Sequence, residues 1–295
     1  MYAIKNRKYY IYYLIFMLPP LIYLCIWKFG PFFYTLGLSF SSFNLVYDKY
    51  PTFVGLRNYL EVIKDINFVQ VLIRTFLFMI VAVLLQLILG LGLAIFFDGK
   101  LLIKEKLKTL IILPMITAPV VVGLIWYILY SDNIGPINYL LSTIGLPRIS
   151  WLSNPSTALY SIIIADVWQW TPFTFLLLLT GLQNIPPEVI EAAKIDGCSS
   201  LKMFRYITLP MIRITILTTV ILRSLDAFVE LPKIYVMTGG GPGGNTEIIS
   251  LLVYKTVFRS YRLGYGATMV IIALAITSGL YGIYLWVNNH YGRTE

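Results

Sequence analysis

Six apolar stretches, each suited to cross a bilayer as a helix, constrain this chain more than any other feature of its sequence. They cover residues 11–27, 75–97, 109–130, 157–182, 214–237 and 265–287. A helix rises about 1.5 Å per residue, so a hydrocarbon core of about 30 Å requires roughly 20 mostly apolar residues. The first stretch gains that length because it continues past Lys28 towards Leu38. The sequence therefore predicts an all-α integral membrane protein with six transmembrane helices.

The composition excludes the other broad classes of protein. The chain is 58% hydrophobic and 13% charged, whereas soluble domains average about 45–50% and about 25%. A soluble protein of 295 residues could not bury so much apolar surface, and a disordered chain is far more polar. Two cysteines, Cys25 and Cys198, are too few for a disulfide scaffold.

Lysine and arginine predict the orientation in the membrane. With an even number of spans, both termini lie on the same side. The tails and the loops on that side carry the larger basic set: Lys5, Arg7, Lys8, Lys100, Lys104, Lys106, Lys108, Lys194, Lys202, Arg205, Arg213 and Arg293. The opposite loops carry the smaller set: Lys49, Arg57, Lys64, Arg148, Lys255, Arg259 and Arg262. The positive-inside rule then places both termini in the cytoplasm, and this bias explains the net charge of +9 without a nucleic-acid partner.

No residue pattern indicates catalysis. The only histidine, His290, is near the end of the chain, and no serine has a plausible base beside it. The glycine-rich segment 239–244 is followed by Asn245, where a phosphate-binding loop requires lysine. We therefore expect no catalytic residue, no metal ligand and no cofactor bound by this chain.

Residues 183–210 form a long cytoplasmic loop that predicts two short helices. Pro187 and Glu188 suit the beginning of the first helix, and Gly197 suits its C-terminal cap. Ser199 or Ser200 can cap the second. Such a helix–turn–helix either docks on a partner protein or lies on the lipid headgroups, because amphipathicity does not separate these two interpretations.

The fifth stretch carries four charged residues, Arg223, Asp226, Glu230 and Lys233. At about 100° per residue they fall within an arc of roughly 80°, so one helix face carries all four. Arg223 lies about 15 Å from the cytoplasmic edge, which is near the midplane. Charges at that depth line a polar cavity or satisfy one another, and the residues alone leave both roles open.

The 183–210 loop resembles a signature of bacterial ABC importer permeases. Glu191-Ala192-Ala193, three residues, Gly197, nine residues and Ile207-x-Leu209-Pro210 match the whole "EAA" pattern of that family. In the family this loop is the coupling helix, which sits in a cleft of the cytoplasmic ATPase. The resemblance implies a type I ABC importer transmembrane domain, in which the contact is made by Glu191, Ala192, Ala193, Asp196 and Gly197.

Further motifs are similar to those of the maltose-type permeases, the carbohydrate branch of this family. The resemblance does not extend to the extra N-terminal helices and external domain of their larger subunit. These motifs include 54–59, 113–114, 166–173, 185–188, 223–228 and 237–242. The resemblance implies a substrate pathway lined by Arg223, Asp226, Ala227, Glu230, Gln169, Trp170, Phe173, Met115 and Pro119. Arg223, Asp226 and Glu230 stand where the maltose permease has neutral residues, so maltose itself does not follow.

The resemblance also implies a division of the chain and a set of partners. Residues 1–68 hold the N-terminal tail, first helix and external loop, residues 69–290 the transmembrane core, and residues 291–295 a short cytoplasmic tail. The expected partners are a second homologous permease, two ATPase subunits that bind ATP and magnesium, an external substrate-binding protein and a sugar, in a bacterial cell membrane. A non-sugar cargo such as a polyol phosphate is the alternative, and a stand-alone ion-coupled carrier is another.

Overall fold

The structure is a computed structural model that describes residues 7–99 and 104–291. These residues are mostly helical. The first half contains α1 (Arg7–Leu24), α2 (Gly30–Ser39), β1 (Ser41–Ser42), β2 (Thr52–Phe53), α3 (Arg57–Lys64), α4 (Ile66–Asp98), α5 (Lys104–Ile116), α6 (Pro119–Leu129) and α7 (Pro136–Thr143). The second half contains α8 (Ala158–Gln183), α9 (Pro187–Ile195), α10 (Ser200–Met203), α11 (Leu209–Met211), α12 (Arg213–Phe228), α13 (Pro232–Met237), α14 (Ile249–Tyr254) and α15 (Leu263–Tyr291).

Four helical segments are long and apolar enough to cross a membrane without a break. They are Tyr12–Ser39, Ile66–Asp98, Ala158–Gln183 and Leu263–His290. A π-helical turn, Cys25–Phe29, joins α1 to α2 within the first of them. Two bent helix pairs bring the number of candidate spans to six if each pair counts as one.

The third and fifth predicted spans are both interrupted, so neither is one continuous helix. Helices α5 and α6 meet at an angle of 97° across residues 117–118, where Pro119 begins the second helix. In the fifth stretch, α12 ends at Phe228, before Pro232 begins α13. A further bend of 65°, between the α10–α11 segment and α12, lies at residue 212, before this stretch begins. Hydropathy does not reveal the first break, whose flanking residues are apolar, whereas Pro232 and the charged residues Glu230 and Lys233 mark the second break in the sequence.

The chain forms two compact units, residues 1–65 with 253–274 and residues 66–252 with 275–295. The division at 68/69 from the sequence lies close to the first boundary, but the return of 253–274 to the first unit has no counterpart in it. Of the predicted terminal segments, residues 1–6 and 292–295 lie outside the described residues.

In the first unit, a short hairpin and α3 pack beside the beginning of α15. β1 and β2 pair antiparallel, with Ser41 opposite Phe53. The buried Asn58 amide donates to the carbonyl oxygens of Ser39 (3.1 Å) and Ser41 (2.9 Å). Gly264 must be glycine because a Cβ there would lie 1.9 Å from the Ser41 carbonyl oxygen.

In the second unit, α4 and α8 pack along much of their length. Gly90 allows this close approach, since a Cβ at that position would lie 2.7 Å from Thr174 Cγ2. Nearby, the rings of Phe97 and Phe175 meet edge to face with centroids 5.3 Å apart. This apolar contact continues through Leu178 and holds α8 in place for the polar residues that it carries.

Residues 238–246, the glycine loop, connect α13 to α14 in the same unit. Glycines at four positions have positive φ, and the Thr238 and Thr246 hydroxyls are 2.7 Å apart. The Arg74 guanidinium, on α4, donates to the Gly244 carbonyl oxygen. The loop is therefore closed on itself and attached to α4.

Candidate functional site

A buried polar cluster joins four helices of the second unit at the level of the break between α12 and α13. Its members come from α4, α8, α12, α13 and the residues between the last two helices. They are Gln86, Asp166, Gln169, Trp170, Arg223, Asp226, Glu230 and Lys233. Arg223, Asp166, Lys233, Gln86 and Gln169 are each at most 1% exposed. Burial of so many polar groups requires that they satisfy one another.

Arg223, on α12, has partners on three helices. Its Nε donates to Gln86 Oε1 (2.9 Å), and its Nη2 lies 3.5 Å from Asp166 Oδ2. Nη1 donates to Asp226 Oδ2 (3.2 Å). The guanidinium carbon lies 4.6 Å from the centre of the Trp170 ring, which is cation–π distance. These contacts occupy the guanidinium inside the protein.

Lys233, in the first turn of α13, is held in the same way. Its Nζ lies 2.9 Å from Asp166 Oδ1 and 2.8 Å from Glu230 Oε2. It also donates to Gln169 Oε1 at 2.8 Å. Glu230 Oε1 accepts a further bond from the Lys233 backbone N–H (3.2 Å), so this carboxylate caps α13.

Asp166 connects the two cations across the helix break. One carboxylate oxygen faces Arg223, before the break, and the other faces Lys233, after it. Gln86 Nε2 donates to the same Oδ2 at 2.8 Å, which ties the group to α4. The break in the fifth span is thus supported by an acid on a neighbouring helix.

Gln169 connects this break to the one in the third span. Its Nε2 donates to the carbonyl oxygen of Thr117 (3.0 Å), in the turn between α5 and α6, while its Oε1 accepts from Lys233. Helices α6 and α13 also pack closely, because a Cβ at Gly123 would lie 3.3 Å from Val236 Cβ. Both ends of the Gln169 amide are therefore engaged within the protein, rather than directed at a cargo hydroxyl.

The pathway residues expected from the resemblance differ in accessibility. Asp226 has a side chain that is 63% exposed. Trp170, Phe173, Met115 and Pro119 are half-buried, and the Trp170 and Phe173 rings meet edge to face at 6.3 Å. The remaining members are buried: Arg223, Gln169, Ala227 and Glu230. Only the exposed and half-buried group offers surface to a passing molecule in this conformation.

Sequence reasoning grouped Lys233 with Arg223, Asp226 and Glu230 on one charged helix face, but it did not place Gln86 or Asp166 beside them. Asp166 and Lys233 carried a signal, because both are charges within apolar spans. Gln86 carried a weaker signal, since one amide in the apolar stretch 75–97 does not by itself indicate which residues it contacts.

The second candidate site is the 183–210 loop. Helix α9 begins at Pro187 as predicted, and Gly197 adopts a φ of +72° after its end. The Cys198 N–H donates to the Ala193 carbonyl oxygen at 2.9 Å, which closes the helix C-terminus. Of the expected ATPase-contacting residues, Glu191, Ala192, Asp196 and Gly197 are exposed. Ala193 is buried at 7% exposure, so its side chain packs within the chain.

Neither site resembles a metal centre. Within residues 7–99 and 104–291, no group of three or more His, Cys, Asp or Glu side chains could hold a metal ion. The polar cluster combines acids with cations and amides, which suits internal pairing and hydrogen bonding to a polar molecule.

Comparisons with known proteins agree with this architecture. The chain is 39% identical over 238 residues to the trehalose/maltose transport system permease protein MalF of Thermococcus litoralis, covering 80% of this chain and 79% of that protein. It is 31% identical to the trehalose transport system permease protein SugA of Mycobacterium tuberculosis, covering 86% and 81%.

Among solved structures, a bacterial ABC transporter involved in import of the acidic polysaccharide alginate has a similar fold. The TM-score is 0.81 at 21% identity, with 98% of this chain and 96% of the other covered. The family of binding-protein-dependent transport system inner membrane components matches residues 86–293. The chain is therefore a multi-pass membrane protein that belongs to the family of binding-protein-dependent transport system inner membrane components.

Proposed function

We propose that this chain is the membrane-spanning permease subunit of an ATP-driven, binding-protein-dependent sugar importer. It forms half of the translocation pathway and performs no covalent chemistry. A second homologous permease completes the pathway, two cytoplasmic ATPase subunits bind and hydrolyse ATP with magnesium, and an external binding protein delivers the sugar. Both termini lie in the cytoplasm. The similarity to permeases named for trehalose and maltose supports a sugar cargo.

The observation that carries the pathway assignment is a polar cluster at the break of a transmembrane span. Arg223 lies ten residues into α12, so it is about 15 Å from the beginning of that helix. Broken helices and ionisable groups at membrane depth occur where they are buried in protein or line an aqueous cavity. Asp226 and Trp170 supply a hydrogen-bond acceptor and an aromatic face beside this cluster, which suits a sugar.

The coupling assignment rests on α9. Its exposed residues include Glu191, and the exposed Gly197 follows its end in a left-handed conformation that favours glycine. Movement of ATPase subunits against this helix would reach the pathway through α10, α11 and α12, which follow it in the chain.

Two substitutions test the coupling assignment. Gly197→Asp and Glu191→Lys should each abolish sugar uptake and transport-coupled ATP hydrolysis while the subunit remains in the membrane. Gly145→Asp is a matched control, because Gly145 also has a positive φ (+77°) with open space around its Cα, and lies outside this loop. Normal uptake by Gly197→Asp would refute the coupling role.

The pathway assignment has its own test. Trp170→Ala should lower uptake while the subunit still assembles with its partners, since Trp170 is half-buried and its loss leaves the ion pairs in place. Unchanged uptake would contradict the assignment. Uptake that requires ATP and is lost without the ATPase subunits would exclude an ion-coupled carrier.

A further inference from the structure

The charges around the helix break are distributed unequally between interior and surface. Five ionisable side chains meet there: Arg223, Lys233, Asp166, Glu230 and Asp226. Two cations and three carboxylates give 2 − 3 = −1 in formal charge. Without Asp226 the sum is 2 − 2 = 0, so the buried members are balanced among themselves.

Neither cation of the cluster is available to a ligand. The side chains of Arg223 and Lys233 are 1% and 0% exposed, whereas that of Asp226 is 63% exposed. Each cation touches two carboxylates, and Asp166 is common to both. The accessible charge of the cluster is therefore a carboxylate.

The depth of Asp226 determines what it can face. It lies 13 residues into α12, about 20 Å along that helix, which places it within the hydrocarbon region. An ionised carboxylate there does not face lipid and lies instead against water or a protein partner. The Asp226 side chain is 63% exposed on this subunit, and under the proposed transport function it lines the aqueous pathway.

We infer that this chain selects uncharged, hydroxyl-rich sugars and disfavours anionic ones. This inference rests on the proposed function and specifies its cargo. The Asp226 carboxylate accepts hydrogen bonds from sugar hydroxyls, and such charge-assisted bonds are strong. A uronate would meet an accessible carboxylate and no accessible cation of the cluster, so its charge would be repelled rather than paired.

Asp166 is a positioning residue in this scheme. It touches no cargo, but it holds Arg223 and Lys233 inside the protein and thereby keeps cations away from the pathway. The alginate importer with the similar fold is described as handling an acidic polysaccharide, so selection by charge does not follow from the fold and must come from side chains.

The test is direct sugar binding by the purified transporter in lipid nanodiscs, without its binding protein, followed by tryptophan fluorescence. Maltotriose and tri-galacturonate are the probes, because both are trisaccharides and they differ in their carboxylates. We expect the wild-type protein to bind maltotriose at least about tenfold more tightly, a difference of about 1.4 kcal/mol. Equal or tighter binding of tri-galacturonate would overturn the inference.

Variants at Asp226 identify the group responsible. Asp226→Asn should narrow the ratio of the two affinities by about tenfold, whereas Asp226→Glu, which keeps the charge, should retain it. Asp48→Asn, at an exposed acid of the first unit, should leave both affinities unchanged. If the ratio of the two affinities is the same in Asp226→Asn as in the wild type, Asp226 is not the group that selects by charge. Pairing of Asp226 with the second permease would give this refuting result.

Failure of the inference is distinguishable from failure of the proposed function. If neither probe binds, but ATP-dependent sugar uptake by the complete transporter is intact, the function stands and Asp226 is not a cargo group. If no sugar is taken up under any condition, the proposed function itself is wrong.

Discussion

Replacing Asp166 by asparagine is the sharpest test of how the broken fifth span is stabilised. The carboxylate is fully buried and lies 2.9 Å from Lys233 Nζ and 3.5 Å from Arg223 Nη2. Removing one partner of a buried ion pair costs about 3–5 kcal/mol. Lys233 keeps Glu230 and Arg223 keeps Asp226, so we expect the lower end of this range, about 3 kcal/mol.

The assay is thermal unfolding of the purified subunit in detergent, followed by tryptophan fluorescence. In larger chains each kcal/mol of lost stability lowers the unfolding midpoint by only about 2 °C. We therefore expect the midpoint to fall by about 6 °C. Asp196→Asn is the matched control, because it is the same substitution at an exposed acid and should move the midpoint by less than about 1 °C.

A double variant isolates the ion pair from other effects of the substitution. Asp166→Asn combined with Lys233→Met should cost less than the sum of the two single changes, with a coupling of about 1–3 kcal/mol. The reasoning is refuted if the stability losses of the two single variants simply add in the double variant. It is also refuted if Asp166→Asn unfolds at a midpoint no lower than that of Asp196→Asn.

Three further predictions concern packing elsewhere in the chain. Gly90→Ala should lower the unfolding midpoint, because the new methyl group would lie 2.7 Å from the buried Thr174 side chain and overpacking costs about 1–3 kcal/mol. Gly92→Ala is the control, because Gly92 has open space around it, and it should not lower the midpoint. Asn58→Ala removes two bonds to backbone carbonyls, so we expect a loss of about 1–3 kcal/mol in the same assay; an unchanged midpoint would contradict this. Arg74→Met removes the donor to the glycine loop and should accelerate amide hydrogen exchange there, measured by mass spectrometry; unchanged exchange would show that the loop is held by its own bonds.

Local physical chemistry was sufficient to predict several elements. The apolar stretches predicted the membrane spans because length and hydropathy alone decide whether a helix can cross a bilayer. Pro187 and Gly197 predicted the limits of α9 because each acts through its own backbone conformation. The EAA pattern likewise indicated the family from residues close together in the chain.

The arrangement of the polar cluster depended on contacts that the sequence does not contain. Hydropathy is an average along the chain, and it gives no sign of the bend within 109–130; within 214–237 the signs of a break are Pro232 and the charged residues beside it. Where each helix breaks depends on which distant groups satisfy the freed backbone and the buried charges. Here those groups are Asp166, Gln169 and Gln86, on helices that the chain brings beside the breaks.

Sequence alone thus determined that this chain spans a membrane and where most of its helices lie. Tertiary structure alone decided which charges are neutralised inside and which carboxylate stays accessible. The physical reason is that insertion into a bilayer sums contributions from single residues, whereas the burial of a charge is tolerated only when its partners converge in space.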